Sequence, residues 1–383
     1  MKICFVNILY SKLNDRGGLG AHIQDLSRAL ARRGHQVTIL TSGSRGACED
    51  RGVKIVSLGN VSRYSGPLQL LNPVVLLRRL RYMIRLTRYA SKASFDVIEA
   101  ADGGLEQLFL VFLRPCPVIT KLHGNFRYIY SRRGMLTRAV EILETLVARR
   151  SSGVYTSSAA YASVIAGDYH IPLSNIEIIP YGIDITDVED DRELLFERRY
   201  SNLPKKRIVF LAVGSSARRK GTDVFLEVAR TSTRDDLLFV LSCSDLAFLS
   251  QVKVPGNVLI LPNLDRNEFY DWLSRSAVVV FPSHFESFSI AVREAMFFGK
   301  PIVASANIPV EGLDAEYPRF LKLSTIEPIA LSAAIVNATS GFLPEVDAAF
   351  MSRLRNKYDI NKVAETTEAY YQKIAARFES SGA

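Results

Sequence analysis

Short apolar strand patterns alternate with amphipathic helix patterns in two separate runs of this 383-residue chain. In the first run, residues 2–9 predict a strand, residues 20–33 a helix and residues 36–41 the next strand, which together make a β-α-β unit. The second run predicts strands at 208–213, 237–243, 258–261, 277–281 and 301–305. Because such alternation favours parallel sheets with helices on both faces, the predicted fold class is α/β with two doubly wound domains.

One segment of the second run carries two carboxylates across a strand-loop-helix junction. A strand ends at Phe281, a loop follows, and residues 290–298 predict a helix, so Glu286 lies on the loop and Glu294 in the helix. Loops at the carboxyl ends of parallel strands line ligand crevices, and helix N-termini there attract anions. Two acids at this edge indicate a polyhydroxy ligand with an anionic tail. Taken alone, the residues leave open that both acids are solvated surface groups.

The loop after the strand 208–213 is rich in glycine and cations. It runs over residues 214–221 with the sequence Gly-Ser-Ser-Ala-Arg-Arg-Lys-Gly and leads into a helix beginning near Thr222. Adjacent cations between glycines suit a phosphate-bearing ligand, because the negative charge of a departing diphosphate has to be stabilised. Arg219 and Lys220 are the candidates for this role, and a solvated basic turn is the alternative.

The segment with the two carboxylates resembles the Glu-x7-Glu signature of retaining glycosyltransferases of family 4. The likeness includes the triplet Glu286, Ser287 and Phe288, the Glu-Ala-Met of the helix, and the Gly-Lys-Pro of residues 299–301. The resemblance implies the GT-B fold, in which two Rossmann-like doubly wound domains face a central cleft. It also implies that Glu286 binds hydroxyls of the donor sugar and that Glu294 binds the nucleotide ribose.

Three further motifs are similar to those of the same family. Gly18 lies in a glycine-rich first loop and is implied to contact the diphosphate, with a plain tight turn as the alternative. His123 follows the strand 118–122, where the family has a histidine that can hydrogen-bond a sugar hydroxyl or the acceptor. The run 178–184 resembles the hinge between the domains, with Tyr181 where asparagine is common.

The resemblance implies retaining transfer of a sugar from a nucleotide diphosphate sugar, with a UDP- or GDP-sugar favoured, to an acceptor hydroxyl. The implied catalytic residues are Glu286, His123 and Lys220. The implied donor-binding residues are Gly18, Arg219, Lys220, Glu286, Ser287, Phe288 and Glu294. No metal cofactor is expected, since the chain lacks the Asp-x-Asp pair of metal-dependent transferases of the other common fold.

The predicted boundaries give an N-terminal acceptor-binding domain over residues 1–185 and a nucleotide-sugar-binding domain over residues 186–359. A C-terminal helix at about residues 360–383 is expected to pack back on the first domain. Two positions depart from the family pattern. Ser215 stands where an arginine is common, and residues 307–311 replace a Gly-Gly pair that approaches the donor phosphate.

The chain has a formal net charge of +9, and its basic excess lies in the first half. No acid occurs between Asp50 and Asp96, an interval in which Pro73 opens a helix pattern. The apolar side of that helix is predicted to face the core: Leu76, Leu77, Leu80, Met83, Ile84 and Ala90. The opposite face is a candidate membrane or acceptor patch: Arg78, Arg81, Arg85, Arg88 and Lys92. This basic face suits an anionic membrane surface, and a merely solvated face is the alternative. No nucleic-acid partner is expected.

The four cysteines have no paired or metal-ligand spacing, and no stretch is apolar for long enough to span a bilayer. A cytoplasmic protein is therefore expected, peripheral on the cytoplasmic face of a membrane if the basic patch binds lipid. The expected acceptor is a lipid-linked or cell-envelope saccharide. Two other functions stay open: a sugar-nucleotide epimerase-like enzyme on the same fold, and a catalytically silent, basic membrane-binding scaffold.

Overall fold

A computed structural model describes residues 1–8, 10, 18–61, 72–102, 104–124, 135–184, 200–213, 217–261, 264–341 and 343–381. The chain forms two compact units. The first contains Met1–Asp15, Leu19–Gly182 and Tyr358–Ala383, and the second contains Arg16–Gly18 and Ile183–Lys357. Residues 185–199, which include the predicted domain boundary, lie outside the described residues, as does Ser215.

The first unit is built on one parallel sheet with a single antiparallel edge strand. Its strands are β1 (Lys2–Val6), β2 (Gln36–Thr41), β3 (Gly46–Asp50), β4 (Val53–Ser57), β5 (Val97–Ala101), β6 (Val118–Leu122), β7 (Gly153–Thr156) and β8 (Ile176–Ile178). They pair in the order β3-β4-β2-β1-β5-β6-β7-β8, and β3 is antiparallel to β4. The direction of strand order reverses between β1 and β5, which is the switch point of a doubly wound sheet.

Helices cover both faces of this sheet, so alternate residues of each inner strand are buried on opposite sides. The helices are α1 (Gly18–Arg32), α2 (Pro73–Lys92), α3 (Leu108–Leu113), α4 (Met135–Arg150) and α5 (Ala159–Tyr169). In β1, Ile3 and Phe5 join a core with α1, whereas Cys4 and Val6 join a second core with α2, α3 and α4.

Helix α2 begins where its sequence predicted, because the side chain of Asn72 accepts from the backbone N of Val74 at 3.0 Å and Pro73 occupies the first turn. Its buried side, however, differs from the prediction. Met83 and Ala90 are buried as expected, together with residues that the pattern did not favour: Arg79, Tyr82, Leu86 and Thr87. The leucines and isoleucine expected in the core are exposed: Leu76, Leu77, Leu80 and Ile84.

The prediction for α2 was wrong because its apolar arc is wider than the side that the sheet can cover. Periodicity identifies such an arc but does not say which part of it meets the neighbouring layer. The aromatic Tyr82 and a buried ion pair decide the rotation of the helix instead. Arg79 Nη2 donates to Glu106 Oε1 at 2.8 Å, and both side chains are less than 10% exposed.

The second unit contains a fully parallel sheet. Its strands are β9 (Arg207–Val213), β10 (Leu237–Cys243), β11 (Val258–Leu261), β12 (Ser276–Phe281), β13 (Ile302–Ser305) and β14 (Phe320–Leu323). They pair in the order β11-β10-β9-β12-β13-β14, so the switch point lies between β9 and β12. The helices are α6 (Thr222–Thr231), α7 (Leu246–Leu249), α8 (Arg266–Arg275), α9 (Ile290–Phe297), α10 (Leu313–Glu316), α11 (Pro328–Ser340) and α12 (Ala348–Tyr358). The predicted α/β class with two doubly wound sheets is confirmed.

The last helix, α13 (Ile360–Ser380), belongs to the first unit. Its side chains Val363, Tyr371 and Ile374 join the core that β1 and α1 share. Within the parts of the chain that are described, no helix combines the length and the apolar character needed to cross a membrane.

Candidate functional site

Two loops leave the second sheet at its switch point, because β9 and β12 are neighbours whose connections run in opposite directions. A crevice outside the carboxyl ends of such strands is where open α/β sheets bind ligands. The loop after β9 contains Arg219 and Lys220, and the loop after β12 contains Glu286 and Ser287. Residues that lie far apart in the sequence are therefore brought to one edge of the sheet.

The two loops touch along their backbones, and a glycine permits the contact. Gly221 has a φ of +71°, and a Cβ atom at this position would lie 2.0 Å from the carbonyl oxygen of Pro282. The backbone N of His284 donates to the carbonyl oxygen of Arg219 at 2.8 Å. The loops thus form one surface rather than two independent segments.

Glu286 is the centre of a charged cluster on this surface. Its Oε1 accepts hydrogen bonds from Lys220 Nζ and from Ser283 Oγ, the latter at 3.2 Å. Arg219 Nη1 lies 3.6 Å from Oε2 and also donates to the carbonyl oxygen of Phe285 at 2.6 Å. The Glu286 side chain is only 9% exposed, whereas Lys220 and Arg219 are 25% and 32% exposed.

The cations keep Glu286 ionised in spite of its burial. Burial by itself raises the pKa of this carboxyl, but the charges of Lys220 and Arg219 and the hydrogen bonds from Lys220 and Ser283 outweigh it, so the pKa lies below its ordinary value. At neutral pH the site therefore holds an acceptor-only carboxylate beside two cations. Such a group can accept hydrogen bonds from sugar hydroxyls while the cations bind phosphate.

Glu294 is buried in α9 and is not the surface acid of the alternative interpretation. It is 8% exposed, and its Oε1 accepts from the hydroxyl of Tyr270 at 2.9 Å. Arg266 Nη2 is 3.9 Å from the same oxygen. Burial and the neighbouring Glu294 carboxylate raise the pKa of Tyr270 well above its ordinary value, so the phenol stays protonated and remains a donor.

A buried arginine that sequence reasoning missed holds the start of α9. Arg293 is fully buried, and its guanidinium lies 3.6 Å from the ring centre of Phe288, which is itself fully buried. Arg293 donates to the carbonyl oxygens of Phe288 and Ser289 and, at 2.8 Å, to that of Pro309. Ser289 has a φ of +63°, an unusual conformation for a non-glycine residue, so these bonds stabilise a strained turn.

The signal for Arg293 was present in the sequence. A cation inside the mostly apolar helix IAVREAMF has to find several acceptors if the helix is buried. The partners come from two loops that no periodicity connects, so only the folded chain reveals its role. The predicted site residue Ser287 is partly exposed on the loop between β12 and α9.

His123 lies in the first unit, directly after β6. Its backbone N donates to Asp102 Oδ1 at 3.0 Å, and the N of Gly124 donates to Asp102 Oδ2 at 3.3 Å. Burial raises the pKa of Asp102 to about 6, although these backbone donors oppose the rise. The His123 Nδ1 atom is hydrogen-bonded to the hydroxyl of Tyr181. Burial and the charge of Lys121 hold the pKa of His123 well below its ordinary value, so the imidazole is neutral.

A buried lysine next to His123 was also missed. Lys121 is 1% exposed, its Nζ is 2.5 Å from His22 Nε2, and it lies 4.9 Å and 4.7 Å from the ring centres of Tyr155 and Tyr181. Burial lowers the pKa of Lys121 to about 8, against the opposing effect of Glu99. A lysine inside the strand VITKL, which is covered on both faces, was the available signal.

Gly18 is the first residue of α1, and its predicted diphosphate contact stays a prediction. The predicted membrane or acceptor patch lies on α2, in the first unit. Among the residues that the structure describes, no group of three or more His, Cys, Asp or Glu side chains is arranged to hold a metal ion.

Family comparisons agree with the geometry of both units. The family model Glycosyltransferase Family 4 matches residues 16–187, and the model Glycosyl transferases group 1 matches residues 195–313. The chain belongs to glycosyltransferase family 4. This glycosyltransferase is 26% identical over 328 residues to a D-inositol 3-phosphate glycosyltransferase of Xylanimonas cellulosilytica, a match that covers 76% of each chain.

Solved structures show the same GT-B fold. The sucrose-phosphate synthase of Thermosynechococcus elongatus is similar with a TM-score of 0.75 and 18% identity, covering 98% of this glycosyltransferase and 99% of that chain. Anabaena HepE in complex with UDP and glucose has a TM-score of 0.71 and 15% identity, covering 97% and 100%. The predicted family and the GT-B fold are thus confirmed.

Proposed function

We propose that this glycosyltransferase transfers a sugar from a nucleoside diphosphate sugar to an acceptor hydroxyl with retention of anomeric configuration. The observation that carries the proposal is the pairing of Lys220 with Glu286 at the switch point of the second sheet. A carboxylate for sugar hydroxyls and a cation for phosphate lie in direct contact there. A nucleotide sugar carries both groups, separated by a single glycosidic bond.

The cations are proposed to bind the diphosphate. Lys220 and Arg219 share one carboxylate, Glu286, and are partly exposed, so they can also contact a second anion. When the glycosidic bond breaks, the electron pair stays on the diphosphate oxygen, and nearby cations stabilise that developing charge. These two side chains supply positive charge that a metal supplies in other transferases, which supports a reaction without a metal cofactor.

The two carboxylates are proposed to orient the donor. Glu286, held ionised by Lys220, accepts from sugar hydroxyls, and Ser287 lies beside it on the same loop. Glu294 is proposed to accept from the ribose hydroxyls, because its carboxylate is buried in the helix that begins at this edge. Gly18 is proposed to contact the diphosphate through its backbone.

Retention is proposed to occur without a protein nucleophile. The acceptor oxygen forms its bond to the anomeric carbon on the face from which the diphosphate leaves, and the acceptor proton passes to the departing phosphate oxygen. Glu286 is already engaged by Lys220 and Ser283, which supports a positioning role for this carboxylate. The neutral imidazole of His123 is proposed to hydrogen-bond a sugar or acceptor hydroxyl.

The acceptor is proposed to be a lipid-linked or cell-envelope saccharide. The support is the basic character of the first unit, where the stretch between Asp50 and Asp96 contains no acid. Acceptors of this class carry phosphate or are presented at a phosphate-rich surface. The solved relative with UDP and glucose makes a UDP-sugar the first donor to test, with GDP-sugars next.

A thermal-shift panel of UDP-, GDP- and ADP-sugars tests donor binding in the wild type and in Glu294→Ala and Glu294→Gln. A ligand at 100 times its dissociation constant should stabilise the second unit by about 2.7 kcal/mol. Sugars of one nucleotide should raise the unfolding temperature of the wild type, and they should not raise that of Glu294→Ala or Glu294→Gln. Glu227→Ala is the matched control, because this acid is half-exposed on α6 and pairs with Arg230 of the same helix.

Product analysis separates the proposal from its alternatives. Transfer that continues in EDTA and gives a product with the donor's anomeric configuration supports the retaining, metal-free reaction. Conversion of the donor without an acceptor would instead identify an epimerase-like enzyme. Absence of stabilisation by every nucleotide sugar at millimolar concentration would refute donor binding and favour a silent scaffold.

A further inference from the structure

The outer side of α2 carries large apolar side chains that are exposed to solvent. Leu76, Leu77 and Leu80 are exposed by 48%, 47% and 41%, and Ile84 by 36%. Three of them, Leu76, Leu80 and Ile84, recur at four-residue intervals and therefore form one line along the helix. Single exposed apolar residues are ordinary on protein surfaces, but a continuous row of them marks a binding surface.

A basic row runs beside the apolar row. At about 100° per residue, the cations follow one another at intervals of three and four along the adjacent side of the helix: Arg78, Arg81, Arg85, Arg88 and Lys92. The structure thus places the two rows next to each other on the outer side, whereas the sequence alone put the apolar row in the core. Since the chain has no acid between Asp50 and Asp96, no carboxylate from this interval neutralises the row.

A shallow groove next to the basic row brings one further cation, Arg45, to three cations of that row. It has a volume of about 410 Å³ and lies between α2 and the loop after β4. Its lining includes four cationic side chains and two hydroxyl-bearing ones: Arg45, Arg85, Arg88, Lys92, Ser57 and Tyr89. Arg85 Nη1 donates to the carbonyl oxygen of Leu58 at 3.3 Å, which fixes one cation at the groove. Guanidinium, ammonium and hydroxyl donors around one groove suit a phosphate group.

Neighbouring helices of the same layer also expose apolar side chains. Helices α2, α3 and α4 bury their inner sides in one core against the first sheet, so their outer sides point away from that sheet. On α3, Phe112 and Leu113 are exposed by 47% and 65%, and Arg114 follows them. On α4, Ile142 is exposed by 67%. The mixed apolar and basic character therefore extends beyond one helix.

These features select one kind of partner. A second copy of this chain that docked by both rows would gather two arginine rows into one interface without acids from this interval, so the like charges would repel. A solvated face explains the cations but not the row of leucines. An anionic bilayer surface satisfies both rows, because acyl chains take the apolar side chains and lipid phosphates take the cations.

We infer that the outer side of α2 binds the surface of an anionic membrane. The row Leu76, Leu80 and Ile84, with Leu77 beside it, enters the boundary between headgroups and acyl chains. The cations of the basic row, together with Arg45 at the groove, contact lipid phosphates. This inference does not depend on the proposed sugar transfer, because lipid binding and donor binding involve different units of the protein.

Vesicle flotation measures the interaction directly. The full-length protein is mixed with vesicles of 30% phosphatidylglycerol in phosphatidylcholine, and with pure phosphatidylcholine vesicles as the uncharged reference. The wild type should float with the anionic vesicles only, and raising the salt concentration should weaken the binding. Replacing three cations in Arg81→Gln/Arg88→Gln/Lys92→Gln should lower the partition coefficient about 100-fold.

Matched variants separate a specific surface from net charge. Lys205→Gln/Lys206→Gln/Arg355→Gln removes the same number of charges from exposed positions of the second unit and should bind as the wild type does. Leu80→Ser/Ile84→Ser keeps every charge and should lower the partition coefficient about tenfold or more. All eight substitutions replace exposed side chains, and circular dichroism is the test that the variants are folded.

Three results would overturn the inference. The wild type fails to float with anionic vesicles at low salt, or the two charge variants lose binding equally, or Leu80→Ser/Ile84→Ser binds as the wild type does. A concentration-dependent dimer that Leu80→Glu dissociates, without any vesicle binding, would assign this surface to a second copy instead. Donor binding by the thermal-shift panel should stay unchanged in every variant, so failure here leaves the proposed transfer reaction untouched.

Discussion

Replacing Gly221 by alanine should separate the two loops that hold the candidate donor site. The new Cβ atom would lie 2.0 Å from the Pro282 carbonyl oxygen, whereas ordinary van der Waals contact begins at 3.4 Å. The loops therefore have to move apart by roughly 1.4 Å. Lys220 is adjacent to Gly221 and Glu286 is on the other loop, so their contact is disturbed directly.

Two terms set the expected loss of stability. Alanine in the left-handed conformation at a φ of +71° costs about 1–2 kcal/mol, and overpacking against a backbone carbonyl costs about 1–3 kcal/mol. The free energy of unfolding of the second unit should thus fall by about 2–5 kcal/mol. Because a misplacement of about 1 Å can cost about 100-fold in rate, kcat/KM should fall by about that factor even where the protein stays folded.

Gly299→Ala is the matched control for the conformational term. Gly299 has a φ of +64°, but a Cβ atom there would meet nothing within 4 Å. This variant should lose only about 1–2 kcal/mol and keep its donor affinity. The single tryptophan, Trp272, is fully buried in α8, so its fluorescence during urea unfolding reports on the second unit. Equal losses of stability and unchanged donor affinity in both variants would refute the loop contact.

Three other predictions concern charged and polar groups. Lys220→Ala should lower kcat/KM by about 100-fold or more. It should also raise the pKa of Glu286, so the acid limb of the pH profile of kcat/KM should move to higher pH. An acid limb that does not move would contradict the pairing of Lys220 with Glu286. Tyr181→Phe removes the hydrogen bond to His123 Nδ1 and should reduce kcat about fivefold without changing donor affinity, and an unchanged kcat would rule out a positioning role for Tyr181. The pKa of Lys121 is lowered to about 8 in the folded protein, so above that pH the unfolded state binds more protons than the folded state. The free energy of unfolding of the wild type, relative to that of Lys121→Met, should therefore rise between about pH 8 and 10. A difference in urea unfolding that stays constant with pH would disprove the lowered pKa.

Much of the secondary structure could be predicted because the parallel strands are covered on both faces. Such strands appear as short apolar runs between glycine, proline and charged residues. The strands β2, β6, β10 and β11 have the predicted bounds, and the predicted helix start at Thr222 is also correct. The strand-loop-helix junction and the cationic loop pointed to Glu286 and Lys220, and the resemblance then implied a role for each.

The buried ionic groups could not be predicted in the same way. The sequence analysis predicted neither Arg293 nor Lys121 as a buried charge, because a sequence does not show which acceptors reach such a group. For Arg293 those acceptors are carbonyl oxygens from two separate loops. For Lys121 they include His22, which is distant in sequence. Each is stable only where folding supplies partners for the charge.

By itself, the sequence determined the α/β class, the bounds of four strands and the identity of the charged loops, because these depend on local periodicity, turn residues and motif spacing. The tertiary structure decided the order of the strands, and with it the meeting of Lys220 and Glu286, which are 66 residues apart. It also decided which side of α2 faces solvent. An apolar arc wider than its partner surface can dock in more than one rotation, and the pair Arg79 and Glu106 together with Tyr82 selects the one that leaves the leucines outside.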